Sequence, residues 1–151
     1  MKKILVSACL LGENVRYNAE VVPVETKIKE LSEKYEIIPF CPEVEGGLDV
    51  PRDPCEIVGI GGGEAVLDGQ AKVMGKSGKD CTKEFVKGAA LGAEKAYKSG
   101  VEFAVIKERS PSCGSSMIYT GNFDGERIKG EGVFSAALRR KGIKVLSEEN
   151  L

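Results

Sequence analysis

Lys3-Ile4-Leu5-Val6-Ser7-Ala8-Cys9-Leu10-Leu11-Gly12 is the stretch whose reading decides the fold. The apolar run from Lys3 to Ala8 reads as a buried strand, and Leu10-Leu11-Gly12 reads as the turn that ends it. Two later segments follow the same pattern. Ile37 to Phe40 is a second strand, stopped by Cys41-Pro42. Phe103 to Ile106 is a third buried strand, followed by Lys107-Glu108-Arg109-Ser110-Pro111-Ser112-Cys113-Gly114. Helical segments lie between them. Glu25 to Tyr35 carries Ile28, Leu31 and Tyr35 at helical spacing, with Pro23 just before. Thr82 can cap a long helix reaching about Ser99-Gly100, with Phe85, Ala89, Ala93, Ala96 and Tyr97 facing inward. Gly88, Ala89, Gly92 and Ala93 would let that helix lie close on a sheet. Val133 to Lys141 is a helix ended by Gly142, and Ile143 to Leu146 is a last strand.

Two hairpins are expected as insertions. Val50 to Gly63 is rich in Pro and Gly and reads as loop, and Ala65 to Met74 reads as a hairpin around Asp68-Gly69. Met117 to Lys129 reads as a second hairpin, with Asn122 and Asp124-Gly125 in its turn. Strands alternating with helices imply a parallel sheet covered on both faces. The expected fold is α/β: a small Rossmann-like three-layer sandwich with a mainly parallel sheet and inserted β-hairpins, in a single domain over residues 1–151.

Composition narrows the function. Hydrophobic residues are 42% and charged residues 30%, a soluble globular mix, and the formal net charge is -1. A chain without a basic field is a poor match for nucleic acid or an anionic membrane, so neither is an expected partner. The run Ile4-Leu5-Val6 after Lys2-Lys3 is much shorter than the apolar core of a signal peptide, which points to the cytoplasm. Five cysteines in a cytosolic chain suggest metal binding or catalysis before disulfides. There is no histidine. That removes Ser-His and Cys-His nucleophilic catalysis and imidazole metal sites.

Cys9, Cys41 and Cys113 each follow a hydrophobic strand, at once or after a short loop, beside a chain-breaking signal. Strand carboxyl ends gather on one edge of a parallel sheet, where ligands bind, so the three thiols are expected to converge there. Ordinary packing is the alternative for any one of them, since free cysteine is among the most buried residue types. Cys55 and Cys81 do not share the pattern and read as structural or exposed thiols. Soft thiolates select zinc, copper(I) or iron–sulfur. Zinc usually completes a tetrahedron, and no fourth Cys or His is offered. A cubane on three cysteines leaves one iron open to a substrate, which suits Lewis acidity or sulfur capture.

Three segments carry a family resemblance. They are Ser7-Ala8-Cys9-Leu10-Leu11-Gly12 with Arg16-Tyr17, Cys41-Pro42-Glu43-Val44-Glu45-Gly46-Gly47-Leu48 with Pro51-Arg52, and Lys107 through Gly114. In this order they resemble the signatures of the thiouracil desulfurase family. The resemblance implies a [4Fe-4S] cluster with three cysteine ligands and non-redox removal of sulfur from a thiolated pyrimidine. A glycine is common in the family after Arg16-Tyr17, where this chain has Asn18-Ala19.

Other groups complete the expected site. Glu43 and Glu45 would point to the same side if their segment is extended. Glu45 is favoured as acid/base, because Gly46-Gly47 lets the backbone approach a ligand. Ser110 is the second catalytic candidate. Ser7, Arg16, Glu43 and Ser112 are candidates for binding a small thiolated substrate. The Ser110 and Ser112 hydroxyls could hold substrate or a cluster sulfide, or simply cap a turn. Arg16, Arg52 and Arg109 could hold an anionic ligand or stand in surface ion pairs. The glycine-rich Gly59-Ile60-Gly61-Gly62-Gly63-Glu64 is a weak match to a phosphate-binding loop, because the residues after it read as a hairpin. The expected activity is iron–sulfur-dependent desulfuration that releases sulfide. The rival is a non-enzymatic carrier of a metal or cluster.

Overall fold

The computed structural model describes residues 1–21, 23–108 and 110–151. Its centre is β1 (Lys3–Ser7), whose Ile4, Leu5 and Val6 are fully buried. β2 (Glu36–Phe40) pairs parallel to β1 on one side, with Lys3 opposite Glu36 and Ser7 opposite Phe40. β5 (Ala104–Ile106) pairs parallel on the other side, and β8 (Val145–Ser147) pairs parallel to β5. The order β2-β1-β5-β8 places the point where strand order reverses between β1 and β5.

Alternation along β1 feeds two cores. Ile4 and Val6 pack with Ile28 of α1 (Thr26–Lys34) on one face. Leu5 faces the other layer, built from α4 (Thr82–Ser99) and α5 (Val133–Arg140). The small residues of α4 do allow close approach, though the neighbours are not only the sheet. A Cβ at Gly88 would collide with the Pro42 carbonyl, and one at Gly92 would enter the rings of Phe134 and Phe40. Tyr97 is corrected from the inward face, since it is 64% exposed. At about 100° per residue it lies roughly 110° from the middle of the stripe formed by Phe85, Gly88, Ala89, Gly92, Ala93 and Ala96. Thr82 does not cap α4. Cys81 holds that position, and the Thr82 hydroxyl accepts from the Val73 amide at 3.0 Å.

The segment 50–75 departs most from expectation. Cys55–Val58 is a strand, β3, paired antiparallel with β4 (Lys72–Gly75), and a short helix α3 (Gly62–Leu67) stands between them. Asp68-Gly69 therefore ends a helix instead of joining two strands. The Asp68 amide bonds to Glu64 O at 3.0 Å, and Gly69 takes φ +78°. Close packing drives this. A Cβ at Gly63 would clash with the Gly132 backbone, and Arg140 of α5 grips Glu64 and Asp68 of α3. The glycine-rich loop thus has a strand before it and a helix after it. Its amide at Gly63 is spent on Glu131 O at 2.8 Å. The second hairpin forms as read, with β6 (Met117–Tyr119) against β7 (Arg127–Lys129).

Candidate active site

A cavity of about 420 Å³ opens at the carboxyl ends of β1, β2 and β5. Cys9 enters it from the helical turn Ala8–Leu11 that follows β1. Cys41 enters from the junction of β2 with α2 (Pro42–Glu45), and Cys113 from the loop after β5. Pro42 favours the four-residue helix because its fixed φ suits the first helical position and its missing amide costs nothing there. Gly46 and Gly88 then let α2 sit against α4, where any Cβ would strike backbone oxygen.

The three thiols sense one another. Burial pushes the Cys9 thiol up to about 11, and the neighbouring Cys41 adds to this while Lys107 and Arg16 oppose it. Burial also raises Cys41, against hydrogen bonds from the Val44 and Glu43 amides. Cys113 is raised well above the usual thiol range, again by burial first, with Cys41 and Cys9 adding and the hydroxyls of Ser112 and Ser7 opposing. Buried thiols of this kind hold their protons until a thiophilic metal replaces them. The neighbouring hard donors are occupied. Glu56 Oε1 accepts the Gly121 and Phe123 amides, and Glu108 accepts donors from Ser115, Ser116 and Met117. Among the described residues no three Cys, Asp or Glu side chains are grouped to hold one metal ion. The three thiols that line the cavity are soft donors, whose chemistry suits iron–sulfur ligation.

Glu43 lines this cavity together with Glu56 and Glu108. Arg52 Nε donates to its Oε1 at 3.1 Å, with both side chains nearly buried. Ser112 Oγ donates to its Oε2 at 2.7 Å, and Ser110 Oγ lies 2.8 Å from Ser112 Oγ. Ser110 Oγ also accepts the Ser112 and Cys113 amides, each at 3.2 Å, so the hydroxyl shapes the cysteine loop as well. Glu45 is exposed and absent from the cavity wall. The expectation of an extended segment fails here. In a helical turn two residues advance by about 200°, so Glu43 and Glu45 face opposite ways.

Of the two readings left open for Arg52, the structure shows the ion pair, with Glu43, nearly buried and not at the surface. Arg52 Nη1 and Nη2 donate to Asp49 O at 3.0 Å and Val15 O at 2.8 Å. Arg16 lines the cavity, and Arg109 lies outside the described residues. Ser7 is buried at the cavity floor with its hydroxyl on Cys113 Sγ at 3.6 Å. Cys55 also reaches the wall, while Cys81 is buried behind it and, after desolvation, is the main group raising the Cys55 thiol. Sequence reasoning missed Lys107, which lines the cavity and pairs with Glu148 at 2.8 Å, and Tyr119 from β6. Their only signal was position, just after β5 for Lys107 and in the inserted hairpin for Tyr119.

The three segments that carried the resemblance to the desulfurases supply the three cysteines of this cavity. The 2-thiouracil desulfurase family model matches residues 4–150. The chain belongs to the 2-thiouracil desulfurase family. Within it, an uncharacterised Bacillus subtilis (strain 168) protein, YbbK, is 44% identical over 148 residues, which is 98% of this chain and 97% of that protein. A solved [4Fe-4S]-dependent thiouracil desulfidase, TudS, superposes with a TM-score of 0.87 at 43% identity, covering 100% of this chain and 93% of that one. Among the described residues no helix is long and apolar enough to cross a membrane.

Proposed function

We propose that this protein is an enzyme that desulfurises a thiolated pyrimidine or a closely related small thiocarbonyl compound, with a [4Fe-4S] cluster held by Cys9, Cys41 and Cys113. The observation that carries the reading is one cavity lined by these three thiols and by Glu43 with its Arg52 and Ser112 partners. The likeness to TudS supports the cofactor and the substrate class. Cys9, Cys41 and Cys113 would hold the cluster, which would supply Lewis acidity toward a soft thiocarbonyl sulfur. The reaction belongs in a reducing cytoplasm, where the five free cysteines stay reduced.

The chain's own residues manage water and protons. Glu43 takes a proton from the attacking water as its oxygen bonds to the thiocarbonyl carbon. The carbon–sulfur bond then breaks with its electron pair on sulfur. Thiocarbonyl plus water gives carbonyl plus hydrogen sulfide, with no change in oxidation state. Arg52 fixes one Glu43 oxygen and leaves the other to the Ser112 and Ser110 hydroxyls, which aim it at the cavity. Arg16 adds positive charge to the wall, which favours an anionic hydrosulfide.

Anaerobic purification, iron and sulfide analysis and a thiouracil assay test this reading. Glu43→Gln should keep its iron while single-turnover rate falls roughly 10²–10⁴-fold, the usual worth of a positioned proton-transfer group. Glu45→Gln should stay near wild type. An unchanged chemical rate in iron-loaded Glu43→Gln refutes the role. Cluster transfer to an apo acceptor without any turnover would support a carrier instead.

A further inference from the structure

Ser7 ends β1 and is 2% exposed. Its oxygen accepts the Lys107 amide at 3.0 Å, which bridges β1 to the chain leaving β5. With that lone pair engaged, its one hydrogen is directed to Cys113 Sγ at 3.6 Å. Ser112 Oγ lies equally near Cys113 Sγ, but it too has one hydrogen. Glu43 Oε2 takes that hydrogen at 2.7 Å, the shorter and charge-assisted bond. Ser7 is thus the donor committed to the Cys113 sulfur. Of the three converging sulfurs, Cys113 alone takes side-chain hydroxyls among the described residues.

We infer that Ser7 is a positioning residue that acts through Cys113, its hydroxyl drawing electron density from that sulfur and so raising the reduction potential of the bound cluster. The inference rests on the proposed cluster and on Cys113 as one of its ligands. Hydrogen bonds to cluster sulfurs are among the levers that set iron–sulfur potentials, and outer partners of a ligand tune its donor strength. A donor on thiolate sulfur stabilises the more electron-rich, reduced state. Its removal therefore lowers the potential and makes the remaining ligand a stronger donor.

The test uses the full chain, reconstituted anaerobically, as wild type, Ser7→Ala, Ser7→Thr and Ser7→Val. Thr and Val share one shape and differ in the hydroxyl. Iron and sulfide are counted first, then the cluster potential is titrated under electron paramagnetic resonance. Iron–sulfur stretching bands are compared in H₂O and D₂O. Wild type and Ser7→Thr should share a potential, with Ser7→Ala and Ser7→Val lower and their D₂O shift reduced. Equal potentials and equal D₂O shifts across iron-loaded variants overturn the inference and leave the cluster standing. If Ser7→Ala and Ser7→Val take up no iron, the absence of a D₂O shift in wild type and Ser7→Thr overturns it alone. Wild type that binds no cluster overturns the cluster reading and this inference with it.

Discussion

Glu108 provides the sharpest stability test, because a buried carboxylate has been made the knot of the loop behind the site. It is 3% exposed. Its Oε1 accepts the amides of Ser115, Ser116 and Met117 at 2.8, 3.1 and 3.3 Å. Its Oε2 accepts the hydroxyls of Ser115 and Ser116 at 2.5 and 3.2 Å. Burial alone would push the carboxyl up, but these donors overcome it and hold it near 2 instead of 4.5. That difference corresponds to roughly 3 kcal/mol of stability at neutral pH. The folded value is depressed, so the stabilisation is present in full above about 4.5. It is lost as pH falls from about 4.5 towards 2. Glu108→Gln removes the charge and turns one acceptor into a donor facing two hydroxyls. Urea unfolding of wild type and variant at pH 7, 5, 4 and 3 measures the effect. The variant should be less stable by about 2–4 kcal/mol at pH 7, and the gap should narrow as pH falls through 4.5. A gap that stays constant from pH 7 to 3 refutes the account, because the loss would then owe nothing to ionised Glu108.

Three further outcomes follow from named contacts. Cys9→Ala, Cys41→Ala and Cys113→Ala should each abolish the four irons per chain expected of reconstituted protein, whereas Cys55→Ala and Cys81→Ala should retain them; iron and sulfide analysis decides. Gly92→Ala should cost about 1–3 kcal/mol in urea unfolding, because the new methyl enters the rings of Phe134 and Phe40. Ala19→Gly should raise stability by about 0.5–1 kcal/mol, because Ala19 holds φ +59°, a left-handed conformation that costs about 1–2 kcal/mol with a Cβ, part of the gain being lost to unfolded-chain entropy.

Ala19 holds a left-handed conformation that its residue type does not announce. The parallel sheet and the convergence of Cys9, Cys41 and Cys113 on one cavity were legible from the strand pattern. Short apolar strands that end in breakers can only leave the sheet at its carboxyl edge, whatever the helices do. Region 50–75 lacked such a constraint. Ala65, Val66 and Leu67 suit a strand or a helix, and the choice falls to Gly63 meeting Gly132 and to Arg140 reaching Glu64 and Asp68. Those partners are some 70 residues away, so no local window contains them.

The choice between Glu43 and Glu45 turns on the same kind of distant contact. An extended Cys41-Pro42-Glu43-Val44-Glu45 would offer both carboxylates to one side. The helical turn separates them, and the turn depends on Gly88 of α4 leaving room for the Pro42 carbonyl. With the turn in place, Glu43 meets Arg52 and Ser112, while Glu45 meets solvent. Arg52 meets Glu43 through Nε while its other nitrogens donate to Asp49 O and Val15 O. A helix-packing glycine nearly fifty residues downstream thus decides which carboxylate faces the thiols. Gly88 does not line the site, yet substituting it would disturb the site through Pro42, which does.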